Sequence, residues 1–177
     1  MPAQTIDPNR PWVGHDYPLS RIFIVGESYT GSYENDLEYD DAYVAALLAG
    51  KPVPGPDLFI KMAEKLNMPL ATLWHQVAFT NLALGSIGPT NTTKVTTAEL
   101  NAGRPRLESL LRRHEPKGVL VLGIKTGKAA APVCKRLGIV HRIVRHPSGI
   151  NNANPNTACT SAMLQEAWHA LSDANAH

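Results

Sequence analysis

Four short stretches of the chain are apolar on nearly every position and end in glycine or polar turns: Arg21 to Gly26, a run through Gln76 ending at Asn81, Gly118 to Gly123, and Ile139 to Arg145. Runs of this length, rich in Val, Ile and Phe, predict buried β-strands. Between them the apolar positions return with a helical period. A helix over Asp41 to Gly50 ends in glycine, as helices commonly do. After the Pro52 to Pro56 turn a second is capped by Asp57, with Phe59, Met62, Ala63 and Leu66 on one face. Thr96-Thr97-Ala98-Glu99 is a capping-box signature opening a helix that Gly103 and Pro105 interrupt and that resumes through Leu107, Leu110 and Leu111. Thr126 to Leu137 reads as a helix perturbed by Pro132, and a final helix capped by Asn156 buries Leu164, Ala167, Trp168 and Leu171. Strands separated by helices call for a parallel sheet covered on both faces. The expected architecture is therefore α/β: a three-layer α/β/α sandwich around a central four-stranded parallel sheet.

Composition bounds this picture without changing it. With 177 residues, 44% of them apolar, the chain can bury one full core without metal or disulfide staples. The expected division is an N-terminal arm over 1–20, a single domain over 21–172 and a short tail over 173–177. The arm holds Pro2, Pro8, Pro11 and Pro18 and no apolar run, so neither a secretory signal nor a membrane anchor is expected in it. Two cysteines, Cys134 and Cys159, at no motif spacing point to a reducing compartment and against a disulfide framework. A cytoplasmic protein without cofactor or metal is expected, and a monomer is the default for an oligomeric state the sequence leaves open.

The formal net charge of +2 is too small to announce a nucleic-acid binder, but its distribution is uneven. From Ile22 to Gly50 there is no Lys or Arg, against Glu27, Glu34, Asp36, Glu38, Asp40 and Asp41. From Lys94 to Arg145 lie twelve of the seventeen basic residues. One acidic and one basic shoulder follow, unless Arg104, Arg106, Arg112 and Arg113 form no more than a solvated helix face.

Three of the predicted strands run into chemistry-bearing turns: Gly26-Glu27-Ser28-Tyr29, Phe79-Thr80-Asn81-Leu82 and His146-Pro147-Ser148-Gly149. In open parallel sheets ligands bind outside the carboxyl ends of the strands. A carboxylate, a carboxamide and an imidazole at three such ends suit a small, planar, hydrogen-bonding ligand.

The order and spacing of these strings resemble the uracil-DNA glycosylase superfamily, with its Gly-Gln/Glu loop, its base-reading Asn and its His-Pro-Ser motif. Gly50-Lys51-Pro52-Val53-Pro54-Gly55 is similar to the Gly-Arg-Pro-Phe-Val-Gly stretch of the bacterial families that carry an iron–sulfur cluster. The resemblance covers roughly residues 20 to 172 and implies a repair enzyme that flips uracil, or another damaged base, out of DNA and hydrolyses its N-glycosidic bond. By the same resemblance Asn81 reads the base, His146 stabilises the departing uracil anion, and Glu27 positions water or stabilises the sugar cation, with Asp36, Asp40 or Asp41 as substitutes. Gly26, Ser28, Tyr29 and Val53 would line the base pocket. Ser148 and Gly149 would grip the phosphate backbone, Ile150 would wedge into the vacated stack, and Gly123, Lys125, Thr126 and Arg145 would add phosphate contacts.

Three departures stand out. Two cysteines cannot supply the usual four-cysteine ligation of a cluster. Val53 stands where those families stack a Phe on the base, so Tyr29, Tyr33, Tyr39, Tyr43 or Phe59 would have to supply a ring. Ser28 likewise stands where many members have Asp or Asn. These departures favour one alternative, a non-catalytic nucleic-acid or nucleobase-binding protein of the same fold. Another is a small serine esterase using Ser28, for which Asp173 and His177 are the available partners. Gly123-Ile124-Lys125-Thr126-Gly127-Lys128-Ala129 imitates a phosphate-binding loop, but its glycine spacing is short and Ala129 replaces the magnesium-binding hydroxyl.

Overall fold

The computed structural model describes residues 11–28, 40–51, 58–83, 95–147 and 158–173, with backbone alone for 40–43. Five strands form one sheet: β1 (Trp12–Val13), β2 (Ile22–Gly26), β3 (Val77–Asn81), β4 (Gly118–Leu122) and β5 (Val140–Val144), in the order β1-β3-β2-β4-β5. β2 to β5 run parallel, and β1 alone is antiparallel, pairing Trp12 with Phe79 and Val13 with Ala78.

The helices are α1 (Tyr17–Ser20), α2 (Asp40–Leu48), α3 (Leu58–Leu66), α4 (Leu70–Gln76), α5 (Thr97–Ala102), α6 (Arg104–His114), α7 (Ile124–Arg136) and α8 (Ser161–Asp173). They cover both faces. On one, α3, α4 and α8 pack Met62, Trp74, Leu164 and Leu171 against Ile22, Ile24, Phe79, Leu120 and Leu122. On the other, α5, α6 and α7 bring Leu100, Leu107, Leu110, Leu111, Ala130 and Val133 to Phe23, Val25, Val119 and Val121. Alternate residues of a strand face opposite sides, so each fully apolar strand feeds both cores. Each large side chain buried this way contributes about 1.5–3 kcal/mol.

The sheet therefore has five strands where the apolar runs predict four. β1 falls within the stretch read as an arm, and two residues between Pro11 and Gly14 carry no period to detect. Its partners are distant in sequence: Trp12 Nε1 donates to Trp74 O at 2.6 Å, and Gly14 N to Val77 O at 2.9 Å. Gly14 is required there, because a Cβ would sit 2.2 Å from the His75 carbonyl oxygen. α4 was not expected either, and Gln76 closes that helix instead of opening β3.

The capping box at Thr96 is present: Glu99 N donates to Thr96 Oγ1 at 3.2 Å, and Thr96 N to Glu99 Oε2 at 2.6 Å. Gly103 separates α5 from α6 as expected. The Asp57 cap lies outside the described residues. α8 begins later than an Asn156 cap requires, and Thr160 caps it instead, its Oγ1 accepting from Met163 N at 3.2 Å.

Candidate active site at the carboxyl ends of the strands

From β2 the chain moves outward to β3 on one side, then returns past β2 to β4 and β5 on the other. The strand order reverses at β2, which opens a crevice beyond its carboxyl end. Along that edge the structure places Asn81, Gly26-Glu27-Ser28, Gly123 and Arg145-His146, in that spatial order. β3 and β5 are three strand spacings apart, about 14 Å. A small ligand over β2 and β4 would lie between Asn81 on one side and His146 on the other.

Asn81 is the most firmly placed of these groups. It pairs with Gly26 in the ladder and is only 5% exposed. Its carboxamide lies against Gly26, where a Cβ would come within 2.4 Å of Oδ1 and 3.2 Å of the Phe79 ring. Pairing continues past the strand: Leu82 N donates to Gly26 O and Ala83 N to Glu27 O, both at 2.9 Å. The Arg106 guanidinium donates through Nη1 to Asn81 O and through Nη2 to Thr80 Oγ1, each at 2.9 Å.

Glu27 and His146 are both driven towards neutrality. Burial raises the Glu27 carboxyl above its ordinary range, opposed by the Lys125 ammonium nearby. Burial pushes the His146 imidazole down to about 4, so it is uncharged at neutral pH. Pairs of shifted titratable groups in a cleft mark functional sites more often than structural ones.

Gly123 precedes α7 with φ +98°, a conformation that favours glycine. In the first turn of α7 the Thr126 hydroxyl is buried without a hydrogen-bond partner among the described residues. Lys125 is an exposed residue whose Nζ donates to Val95 O, beside Glu27. Arg145 is half-buried. Tyr29, Val53, Ser148, Gly149 and Ile150 lie outside the described residues, as do Tyr33, Asp36 and Tyr39. The side chains of Asp40, Asp41 and Tyr43 lie outside them too.

Other candidates are redirected by their packing. Phe59 is 5% exposed, 4.4 Å from the Trp74 ring and 5.0 Å from the Phe79 ring, so it is a core aromatic and not a free stacking surface. The helix-face arginines do not all face solvent. Arg106 turns inward, Arg104 Nε donates to Ala129 O at 2.9 Å, and Arg112 pairs with Glu108 at 2.9 Å. Arg106 is the residue the sequence reading missed, because an amphipathic pattern places polar residues outside without saying where a long side chain reaches.

Among the described residues the esterase partners Ser28 and Asp173 are not brought together, and His177 lies outside them. Leu171 packs on Gly118 at the start of β4, where a Cβ would sit 2.9 Å from Leu171 Cδ2, so α8 carries Asp173 towards the amino ends of the strands. Ser28 lies beyond the opposite ends, about 16 Å away along a five-residue strand. Cys134 and Cys159 sit in cores on opposite faces of the sheet, so the four-thiolate donor set of an iron–sulfur cluster has no fit here.

The model of the Uracil DNA glycosylase superfamily matches residues 13–172. The chain belongs to this superfamily. Among solved structures, this superfamily member is similar to a solution NMR structure of a protein from Methanosarcina acetivorans described as a "putative Uracil DNA glycosylase". The two share 16% identity with a TM-score of 0.52, over 92% of this chain and 98% of the other, which is a likeness of fold. No curated protein matches the chain. Within the superfamily frame, Gly26-Glu27-Ser28, Asn81 and His146-Pro147 occupy strand ends of the same crevice. No helix among the described residues is long and apolar enough to cross a membrane.

Proposed function

We propose that this chain is a DNA glycosylase that takes uracil, or a related damaged base, out of the stack and hydrolyses its N-glycosidic bond. The observation that carries the reading is the buried Asn81 carboxamide, seated on Gly26 at the reversal point of the sheet, with a carboxylate and a neutral imidazole on the same edge.

The residue types suit the chemistry. A flipped base is read by its Watson–Crick edge. Uracil offers an N3–H donor beside an O4 acceptor, and a carboxamide offers an acceptor beside a donor. Cytosine presents the reverse pair, so an amide held in one orientation accepts uracil and rejects cytosine. Rejection comes from buried polar groups left unpaired, about 1–3 kcal/mol.

Cleavage leaves a cationic sugar and a uracil anion whose charge spreads onto O2. A donor that meets this charge only as it develops lowers the barrier without tightening ground-state binding. His146, neutral and half-buried, donates an N–H to O2. Glu27 in its ionised form faces the sugar cation and orients the attacking water, with Lys125 favouring that form. Cations at the starts of α7 and after β5, Lys125 and Arg145, contact backbone phosphates.

The test is incubation with single- and double-stranded oligonucleotides carrying one uracil, followed by alkali. Strand breaks at the uracil are expected. Tight binding of the uracil strand with no breaks would identify the nucleic-acid-binding alternative, which Ser28 in place of the superfamily's usual Asp or Asn favours. Ester hydrolysis with labelling of Ser28 by an organophosphonate would overturn both.

A further inference from the structure

We propose that Arg106 is the positioning residue for base reading, a clamp on α6 that fixes the end of β3 and with it the Asn81 carboxamide. The inference rests on Asn81 as the base reader and goes beyond it to the device that holds it.

Backbone groups of a strand alternate between its two neighbours. Leu82 N meets Gly26 O on the β2 side, and Val77 O accepts from Gly14 N on the β1 side. Odd-numbered residues of β3 therefore direct their backbone groups towards β1. The described β1 ladder ends at the Trp12–Phe79 pair, two residues short of Asn81. Beyond that pair the Arg106 fork meets the outward carbonyl of Asn81 at 2.9 Å while gripping Thr80 Oγ1 at 2.9 Å. Thr80 is itself fully buried. Two donors in a rigid plane fix two successive residues, which a single ammonium cannot do.

The clamp is anchored. Gly103 at the α5–α6 junction lies directly on the Leu82 carbonyl, where a Cβ would come within 1.9 Å of the oxygen. Arg104 Nε holds Ala129 O of α7 at 2.9 Å, so Gly103-Arg104-Pro105-Arg106 ties the end of β3 to the helix bordering the other side of the crevice. A carboxamide displaced from the base edge loses both of its hydrogen bonds to that edge, so reading depends on how firmly this strand end is held. Displacements of about 1 Å in positioning groups cost on the order of 100-fold in rate.

The experiment is a mutant cycle read by single-turnover uracil release, by anisotropy on uracil-containing DNA and by the uracil-to-cytosine rate ratio. It uses wild type, Arg106→Met, Arg106→Lys, Asn81→Ala and the Asn81→Ala/Arg106→Met double variant. Arg106→Met is expected to slow release about 10- to 100-fold and to narrow the base ratio, with DNA affinity within about twofold of wild type. Arg106→Lys, able to hold one acceptor, recovers part of the loss. In the Asn81→Ala background the Met substitution costs no further rate, since the group being positioned is gone. A folded Arg106→Met with wild-type rate and ratio, or losses that add in the double variant, overturns the inference while leaving Asn81 as the reader. Should Arg106→Met not fold, the same cycle with Arg106→Lys decides on the same criteria. Wild type without uracil release removes the base-reading assignment itself and this inference with it.

Discussion

Asn81 and His146 end two parallel strands of one sheet, yet they are held in different ways. β3 lies between β1 and β2, its end is extended by backbone bonds to Gly26 and Glu27, and Arg106 grips its last carbonyl. β5 is the outer strand, with Val140 and Ile143 about two-fifths exposed, and His146 follows it beyond the ladder. On the proposed reading β3 supplies position, because a base edge must be met by an amide held in place. What β5 supplies is environment, because burial alone sets the charge of the imidazole. A reader needs a rigid seat, and a charge-state-dependent donor needs a dry one.

Substitutions at the two ends should break this contrast in distinguishable ways. The largest effect is expected for His146→Ala, a slowing of the chemical step by about 100- to 1000-fold, or about 3 kcal/mol, with DNA binding retained. Single-turnover kinetics separate the terms, and weakened binding at an unchanged rate would mark His146 as a structural turn residue. Asn81→Ala is expected to cost about 1–3 kcal/mol in uracil release and to erase selectivity while the protein stays folded. Near wild-type release would remove the pocket assignment. Gly26→Ala, which forces a methyl to 2.4 Å from Asn81 Oδ1, should lower release about tenfold with little change for His146.

Acid should sharpen the comparison. The folded imidazole titrates near 4 against an ordinary 6.5, so between these values the unfolded chain binds more protons than the folded one. The stability His146 contributes is full above about pH 6.5 and is lost as pH falls through 4, to a total of roughly 3 kcal/mol. His146→Gln should flatten that decline in melting temperature, whereas Asn81→Ala should not. Activity should persist below pH 6.5 and fall only where Glu27, raised above its ordinary 4.5, takes up its proton. The smallest effect expected is on salt dependence. Replacing Lys125 or Arg145 with Ala should reduce the log–log slope of DNA affinity by about one unit, equally across sequences. A flat slope in wild type would count against DNA as substrate.

The four parallel strands were legible because each is a continuous apolar run closed by a turn residue. Their ends carried the legible part of the site, since Gly26, Glu27, Asn81 and His146 each stand where such a run stops. β1 and α4 were not legible. Both are short and exist through what they touch, Trp12 through Trp74 and Gly14 through His75 and Val77. Phe59 misled because an aromatic in an amphipathic helix reads the same whether it faces a core or a cleft. Arg106 misled because helical period assigns a side, whereas its guanidinium works at the far end of a long stem.

The antiparallel β1 has a kinetic consequence. Its contacts with residues 74–79 close a loop of 62 positions between Trp12 and Trp74, and chain entropy delays such contacts until the strands they join already exist. Among the described residues a two-residue ladder and a few bonds around it reward the closure. This corner should therefore dock last and open first, a local unfolding unit distinct from the parallel core. Amide exchange at Gly14 would run ahead of exchange at Leu82, even though both amides bond within the same sheet. A strand with one releasable neighbour can breathe on that side while staying seated on the other.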